Sequence, residues 1–221
     1  SLFCGEALSV DLAQVWAQAT GGRIENWYGP TEATIACTRY VLPSDPAQIH
    51  GLHNLVPIGR PLPGMTALVL TPDGQPAPPG GTGELLMAGP QVADGYLQDP
   101  EKTAAAFVQQ NIQSKTQSQP GLHYRTGDRV QIDADGNMHF IARLDTQIKI
   151  RGYRVELGEI EAAMADFAGV TGAVVVAREL AGNEKLVGYV TTNATINEQA
   201  LRSSLAQRLA EVMVPSHIIT L

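Results

Sequence analysis

Apolar and polar positions along the chain switch repeatedly between a strand period and a helix period, and the switches divide it into blocks. Residues 1–5 form a short apolar run ending at a glycine, which predicts a buried strand. Ser9 precedes apolar residues at helical spacing (Val10, Leu12, Ala13, Val15, Trp16) and Gly21-Gly22 ends them, so a capped helix is expected. Residues 23–27 predict the next strand and residues 34–42 another, giving the strand–helix–strand signature of an α/β layer. Beyond residue 54 the helical period disappears. Residues 67–70 and 83–87 are strand-like runs around Pro72-Asp73-Gly74 and the loop PAPPGGT, which predicts a small β subdomain. Asp99-Pro100 opens a helix expected to reach Val108, and the glutamine- and serine-rich residues 109–120 read as a polar loop. Residues 124–132 and 138–144 predict a hairpin. After it come a strand at 147–150, a loop at 151–153, a helix at 157–167, strands at 170–177 and 186–191 around Gly182-Asn183, and an amphipathic helix at 197–213.

The expected fold class is therefore α/β plus β and α+β. Residues 1–54 are the end of an α/β layered subdomain and residues 55–144 a small β-barrel-like subdomain. Residues 145–221 make a separate α+β lobe, with the boundary near Asp145.

A chain of 221 residues is long enough for a sizeable core. Its formal net charge of −7 argues against nucleic acid as a partner. Cys4 and Cys37 lack metal-site spacing and read as two packed thiols of a reduced, cytoplasmic protein. No apolar run has the length of a membrane span, and no signal segment is visible, so no membrane partner is expected. The start at Ser1, straight into apolar residues, reads as the middle of something longer.

Four stretches carry candidate chemistry. Asn26-Trp27-Tyr28-Gly29-Pro30-Thr31-Glu32 sets an aromatic ring before a Gly-Pro turn and a hydroxyl and carboxylate after it. That suits a base, a phosphate oxygen and a metal that carries phosphates; an ordinary tight turn with a buried tyrosine suits it as well. In Tyr124-Arg125-Thr126-Gly127-Asp128 the carboxylate could accept from the two hydroxyls of a ribose, or simply end a strand. Arg143-Leu144-Asp145 stands at the lobe boundary, where an arginine could reach a ribose or phosphate and an aspartate could serve as a hinge; a surface ion pair is the plainer reading. Lys149-Ile150-Arg151-Gly152-Tyr153-Arg154-Val155-Glu156 is a basic run around a glycine, which alone would be a solvated charge run.

Together NWYGPTE, GELLMAGPQVADGY, YRTGD and RLDTQIKIRGYRVELGEIE resemble, in order and approximate spacing, the amino-acid adenylation domains of nonribosomal peptide synthetases, within the adenylate-forming superfamily. The resemblance covers essentially the whole chain. It implies an AMP-forming ligase that activates an amino acid with ATP and Mg2+ and passes it to the phosphopantetheine arm of a carrier protein. It also implies these site residues. Tyr28 would stack on adenine, Asn26 would bond its edge, and Gly5, Glu6 and Ala7 would line it. Thr31 would contact the α-phosphate and Glu32 would help hold magnesium. Asp128 would bind the ribose, with Phe140 and Arg143 completing the nucleoside site. Asp145 would be the hinge, and Lys149 and the loop at Gly152 would act in the thioester step. Leu2, Cys4, Trp27, Ile35 and Ala36 would line an apolar acyl pocket, favouring a small or apolar side chain.

The chain also departs from the family pattern. The glycine-, serine- and threonine-rich phosphate loop is absent from these residues, as is the catalytic lysine expected beyond Met213-Val214-Pro215. Ala142 replaces the usual glycine before Arg143. The expectation is a segment inactive alone that needs the rest of the adenylation domain. Phe3-Cys4-Gly5-Glu6 also resembles D-alanine–carrier-protein ligases. An acyl- or aryl-coenzyme A synthetase and a non-catalytic adenylation-like binding module are the remaining alternatives.

Overall fold

In the computed structural model, which describes residues 1–110, 121–180 and 183–221, Ser9 caps a helix. Its Oγ accepts from the Leu12 N–H at 3.2 Å. The helix, α1 (Val10–Thr20), ends at Gly21, whose left-handed backbone (φ 59°) returns its N–H to the Ala17 carbonyl. α1 links β1 (Leu2–Phe3) to β2 (Glu25–Tyr28), which pair in parallel and so require a crossover. β3 (Thr38–Val41) and β4 (Arg60–Pro61) extend the sheet antiparallel in the order β1-β2-β3-β4. Leu8, Ala13, Ala17, Ile24, Ile49 and Val56 form the core beneath it.

The strand expected over residues 34–42 is shorter. Thr31–Ala33 make a 3₁₀ turn, Thr34 and Ile35 adopt left-handed angles (φ 55° and 69°), and β3 begins only at Thr38. The turn consumes the donors a strand would use, with Thr34 N–H on Thr31 O and Ile35 N–H on Pro30 O. The first strand is likewise only two residues long.

A curled five-stranded sheet follows: β5 (Thr66–Leu70), β6 (Thr82–Ala88), β7 (Phe107–Gln110), β8 (Gly121–Ile132) and β9 (Met138–Arg143). β8 pairs along its length with β6; its first part also pairs with β7 and its second part with β9. Met65, Val69, Leu85, Met87, Val130 and Met138 form its core, joined by Tyr28, Ala33 and Cys37. The helix expected to reach Val108, α2 (Pro100–Ala106), stops short because Phe107 turns into β7 and buries its ring 5.1 Å from that of Tyr124. Residues 109–110, expected in a loop, are therefore strand, and residues 111–120 of that loop lie outside the described residues.

These elements make up one unit, Ser1–Leu144; Asp145–Leu221 make up another. In the second unit, β10 (Gln147–Ile150) and β11 (Tyr153–Glu156) form a hairpin whose two turn residues, Arg151 and Gly152, are both left-handed (φ 51° and 79°). The loop expected at 151–153 is thus a two-residue turn, with Tyr153 already in a strand. α3 (Leu157–Ala165) and α4 (Glu198–Arg208) pack Ile160, Met164, Leu201 and Leu205 against β12 (Val170–Leu180), β13 (Asn183–Thr192) and β14 (His217–Thr220). Gly182, expected in a turn, lies outside the described residues. The last helix ends at Arg208 rather than at residue 213; Glu211–Met213 are a separate 3₁₀ turn. β14 then adds in parallel to β13, with α4 as crossover.

Only one of the two thiols is packed: Cys37 is buried, whereas Cys4 is exposed. Among the described residues no helix is long and apolar enough to cross a membrane.

Candidate functional site

Alternation along β2 sends its four side chains to two faces. Asn26 and Tyr28 point inward and are 2% and 8% exposed. The Asn26 amide donates to the Pro57 carbonyl at 2.9 Å, while its Oδ1 accepts from no described residue. The Tyr28 hydroxyl donates to Asp128 Oδ2. Burial and the Asp128 charge push this phenol well above its ordinary range, so it stays a donor. Asp128 lies opposite Arg143 in the β8–β9 ladder, and its Oδ1 accepts from Arg143 Nη1 at 2.8 Å. The same nitrogen reaches the Thr126 carbonyl at 2.6 Å, and the Thr126 hydroxyl accepts from the Asp128 N–H at 3.0 Å. Residues 100 positions apart are thereby joined in one network. The Tyr28 ring, expected to offer a face to a base, is itself part of the core. Phe140 is half-buried on β9 against that core.

The Gly29-Pro30 turn carries Thr31 and Glu32. Gly29 has no room for a side chain, since a Cβ would meet Cys37 N and Ile35 O at 2.8 Å. Thr31 is exposed and Glu32 half-buried. Tyr96 donates its hydroxyl to Glu32 Oε1 at 2.7 Å, with Lys102 Nζ 5.1 Å from its ring centroid. Burial and the Glu32 bond raise the Tyr96 phenol far above its usual range, so it too remains a donor. Residues 91–96 clasp the turn at three further points. Ala93 N–H bonds Glu32 O at 2.9 Å, Thr34 Oγ1 bonds Gln91 O at 2.7 Å, and Gln91 Nε2 bonds Ala36 O at 3.0 Å.

The outer face carries a different set. Trp27 is half-buried and donates its indole N–H to Glu25 Oε2 at 2.8 Å. Glu25 also pairs with Arg23 at 2.6 Å and lies 4.0 Å from Arg39, which is the cross-strand neighbour of Trp27. Leu2, paired with Glu25 in the parallel register, is 58% exposed. Cys4 is exposed just beyond β1 and its Sγ lies 4.0 Å from Ile35 O. Ile35 is 67% exposed and Ala36 half-buried. Gly5 (φ 101°), Glu6 and Ala7 follow β1 in an irregular segment, the latter two exposed.

The remaining candidates belong to the second unit. Asp145, its first residue, is exposed and accepts from the Gln147 N–H at 3.0 Å. Lys149 is exposed on β10 opposite Arg154, one residue from the Arg151-Gly152 turn. Sequence reasoning missed Tyr96 and Glu25. Tyr96 stands within the motif-like GPQVADGY run but is 64 residues from Glu32, so only the fold pairs them. Glu25 had a local signal: two positions from Trp27 on one strand, it shares its face. Among the described residues no group of three or more histidines, cysteines or carboxylates could hold a metal by itself.

Comparison with known proteins bears on the whole chain. The AMP-binding enzyme family matches residues 1–97, and the AMP-binding enzyme C-terminal domain matches residues 159–221. A probable non-canonical nonribosomal peptide synthetase, CymA of Salinispora arenicola, is 44% identical over 220 residues, covering 98% of this chain and 3% of that protein. A dimodular nonribosomal peptide synthase of Bacillus subtilis is 40% identical over 217 residues, covering 97% of this chain and 9% of that protein. Among solved structures, the Vibrio cholerae adenylation domain AlmE in complex with glycyl-adenosine-5'-phosphate has a TM-score of 0.84 at 34% identity, covering 100% of this chain and 41% of that one. An artificially fused adenylation–PCP di-domain from Klebsiella oxytoca has a TM-score of 0.84 at 29% identity, covering 98% of this chain and 39% of that one. The chain thus spans only a small part of the synthetases it matches.

Proposed function

The chain belongs to the AMP-binding enzymes, and from that premise we propose that it is part of an amino-acid adenylation domain in a nonribosomal peptide synthetase. An amino-acid carboxylate attacks the α-phosphate of ATP, a C–O–P linkage forms, and pyrophosphate leaves. The thiol of a carrier protein's phosphopantetheine arm then displaces AMP. Ser1–Leu144 is the end of the large core, and Asp145–Leu221 a lobe that turns about Asp145 between the two steps.

The observation that carries this reading is the sorting of NWYGPTE by strand alternation. Asn26 and Tyr28 go to the side of Asp128 and Arg143, Trp27 to the side of Leu2 and Cys4. One strand thereby separates a nucleotide wall from an acyl wall. Asn26 Oδ1, a buried acceptor with no described donor, suits the amino group of adenine. Asp128 accepts from the Tyr28 hydroxyl and from Arg143, and an ionised carboxylate is acceptor-only with several lone-pair sites, which suits the hydroxyls of a ribose. Thr31 contacts the α-phosphate, with Gly5, Glu6, Ala7 and Phe140 around the nucleoside. Glu32 fits magnesium, which takes one or two carboxylates and completes its shell with water and phosphate oxygens; when bound, it neutralises charge developing on the phosphates. Lys149 and the Arg151-Gly152 turn serve the thioester step. Leu2, Cys4, Trp27, Ile35 and Ala36 form the acyl wall. Its bulk at Trp27 and the glycyl ligand of the similar Vibrio cholerae domain support a small or apolar amino acid.

The test is amino-acid-dependent ATP–pyrophosphate exchange across an amino-acid panel, using the full-length protein that contains this chain. Exchange with small or apolar amino acids is expected. Exchange with none of them, or a strong preference for a large charged one, overturns the reading. The 221 residues alone are expected to show no exchange.

A further inference from the structure

The acyl wall just described contains one bulky side chain, and that side chain is held by a neighbour. Trp27 lies on the outer face of β2, half-buried, among residues that are exposed (Leu2, Cys4, Ile35). Its two-ring side chain has several rotamers open to it on such a face. Among the described residues the polar contact that selects among them is the 2.8 Å bond from the indole N–H to Glu25 Oε2. Glu25 is in turn held by Arg23 at 2.6 Å and lies 4.0 Å from Arg39. The hydrogen bond from Trp27, ahead of Arg23 and Arg39, keeps the Glu25 carboxyl below its ordinary range, so it is an ionised acceptor near neutrality. A charge-assisted bond of this kind is stronger and more directional than a neutral one.

We infer that Glu25 is a specificity-positioning residue: through the Trp27 indole it fixes how far the ring projects over the acyl wall, and so sets the largest amino-acid side chain admitted. This rests on the adenylation reading above. Glu25 touches neither substrate nor ATP in this role. The group acts through the ring, and loosening the ring enlarges the site without altering the nucleotide wall on the opposite face.

Three variants of the full-length protein test it: Glu25→Ala, Glu25→Gln and Trp27→Ala. The readout is kcat/KM in pyrophosphate exchange for the preferred amino acid and for one larger by an isobutyl or benzyl group. Glu25→Ala is expected to raise the larger:preferred ratio by about tenfold, within the range that pocket size alone commands. The change should appear in KM for the amino acid, with KM for ATP unmoved. Trp27→Ala should shift the ratio at least as far. Glu25→Gln, whose amide oxygen still accepts from the indole though without the charge, should hold the ratio much closer to wild type than Glu25→Ala does. In proton NMR the Trp27 indole N–H resonance, assigned by its loss in Trp27→Ala, should move upfield in Glu25→Ala. An unchanged ratio in Glu25→Ala overturns the inference, as does an equal shift in Glu25→Gln, which would make charge rather than the bond responsible. Absence of exchange by the unsubstituted protein removes the adenylation reading and the specificity role with it. A ratio that holds while exchange is normal overturns the positioning role alone.

Discussion

On the inner face of β2, Asn26 and Tyr28 are buried and tied to residues far along the chain, whereas on the outer face Leu2, Cys4 and Ile35 meet solvent and the Trp27 indole is tied to Glu25, two residues away. The inner wall is shaped by the core, so altering it alters folding. The outer face is shaped by local contacts, so altering it is expected to leave the fold intact. A strand with a period of two can therefore present one rigid and one adjustable surface through adjacent residues.

The widest gap between the faces should appear in thiol chemistry. Burial pushes Cys37 up to about 12, while Cys4 is exposed. The Cys37 thiolate fraction is then on the order of a thousandfold below that of an ordinary thiol. Alkylation of the folded protein at neutral pH, mapped by mass spectrometry, should modify Cys4 and leave Cys37 until unfolding. A bound aminoacyl-adenylate should slow modification of Cys4. Equal labelling of both would erase the distinction between the faces.

Next in size is Asp128→Ala, which removes the carboxylate that accepts from both the Tyr28 hydroxyl and the Arg143 guanidinium. It should lower the unfolding free energy from denaturant titration by about 3 kcal/mol, as removal of one partner from a buried charged pair does. A loss below 1 kcal/mol would mean that the network is not a structural element. Tyr96→Phe removes one neutral-to-charged hydrogen bond from Glu32. It should cost about 1.5 kcal/mol of support at the turn, and the magnesium concentration giving half-maximal exchange should rise about tenfold. An unaltered magnesium dependence would separate Tyr96 from that carboxylate. Smallest should be Trp27→Phe, which should leave the unfolding free energy within about 0.5 kcal/mol, as substitutions outside a core do, while amino-acid preference changes. A larger stability loss would place Trp27 with the inner wall.

Much of the fold was legible where one local rule sufficed. Ser9 and Gly21 announced both ends of α1, Asp99-Pro100 the start of α2, and the apolar alternation of β5, β6, β8 and β9 the curled sheet. What escaped depended on partners distant in sequence. Phe107 leaves the helix for a slot beside Tyr124, and β14 exists because β13 offers an edge. The turn at Thr31–Ala33 escaped because Thr34 and Ile35, both β-branched, rarely take left-handed angles. For the candidate site, the motifs contained Tyr28, Asp128 and Arg143 but not their bonding: the connection emerges only once the fold brings the Tyr28 hydroxyl to the Asp128 carboxylate. Tyr96 escaped for the same reason. Glu25 was readable in principle from its spacing to Trp27, because residues two apart on a strand share a face.

The clasp between residues 91–96 and the Thr31–Ala36 turn has a consequence for recombination between related genes. A left-handed isoleucine is an unfavourable conformation that local bonding alone holds poorly, and here the distant strap supplies the restraint at Gln91, Ala93 and Tyr96. The turn and its strap are thus a single inherited cassette. A crossover between residues 36 and 91 would join a turn from one parent to a strap from another, and chimeras should survive best where both segments descend together.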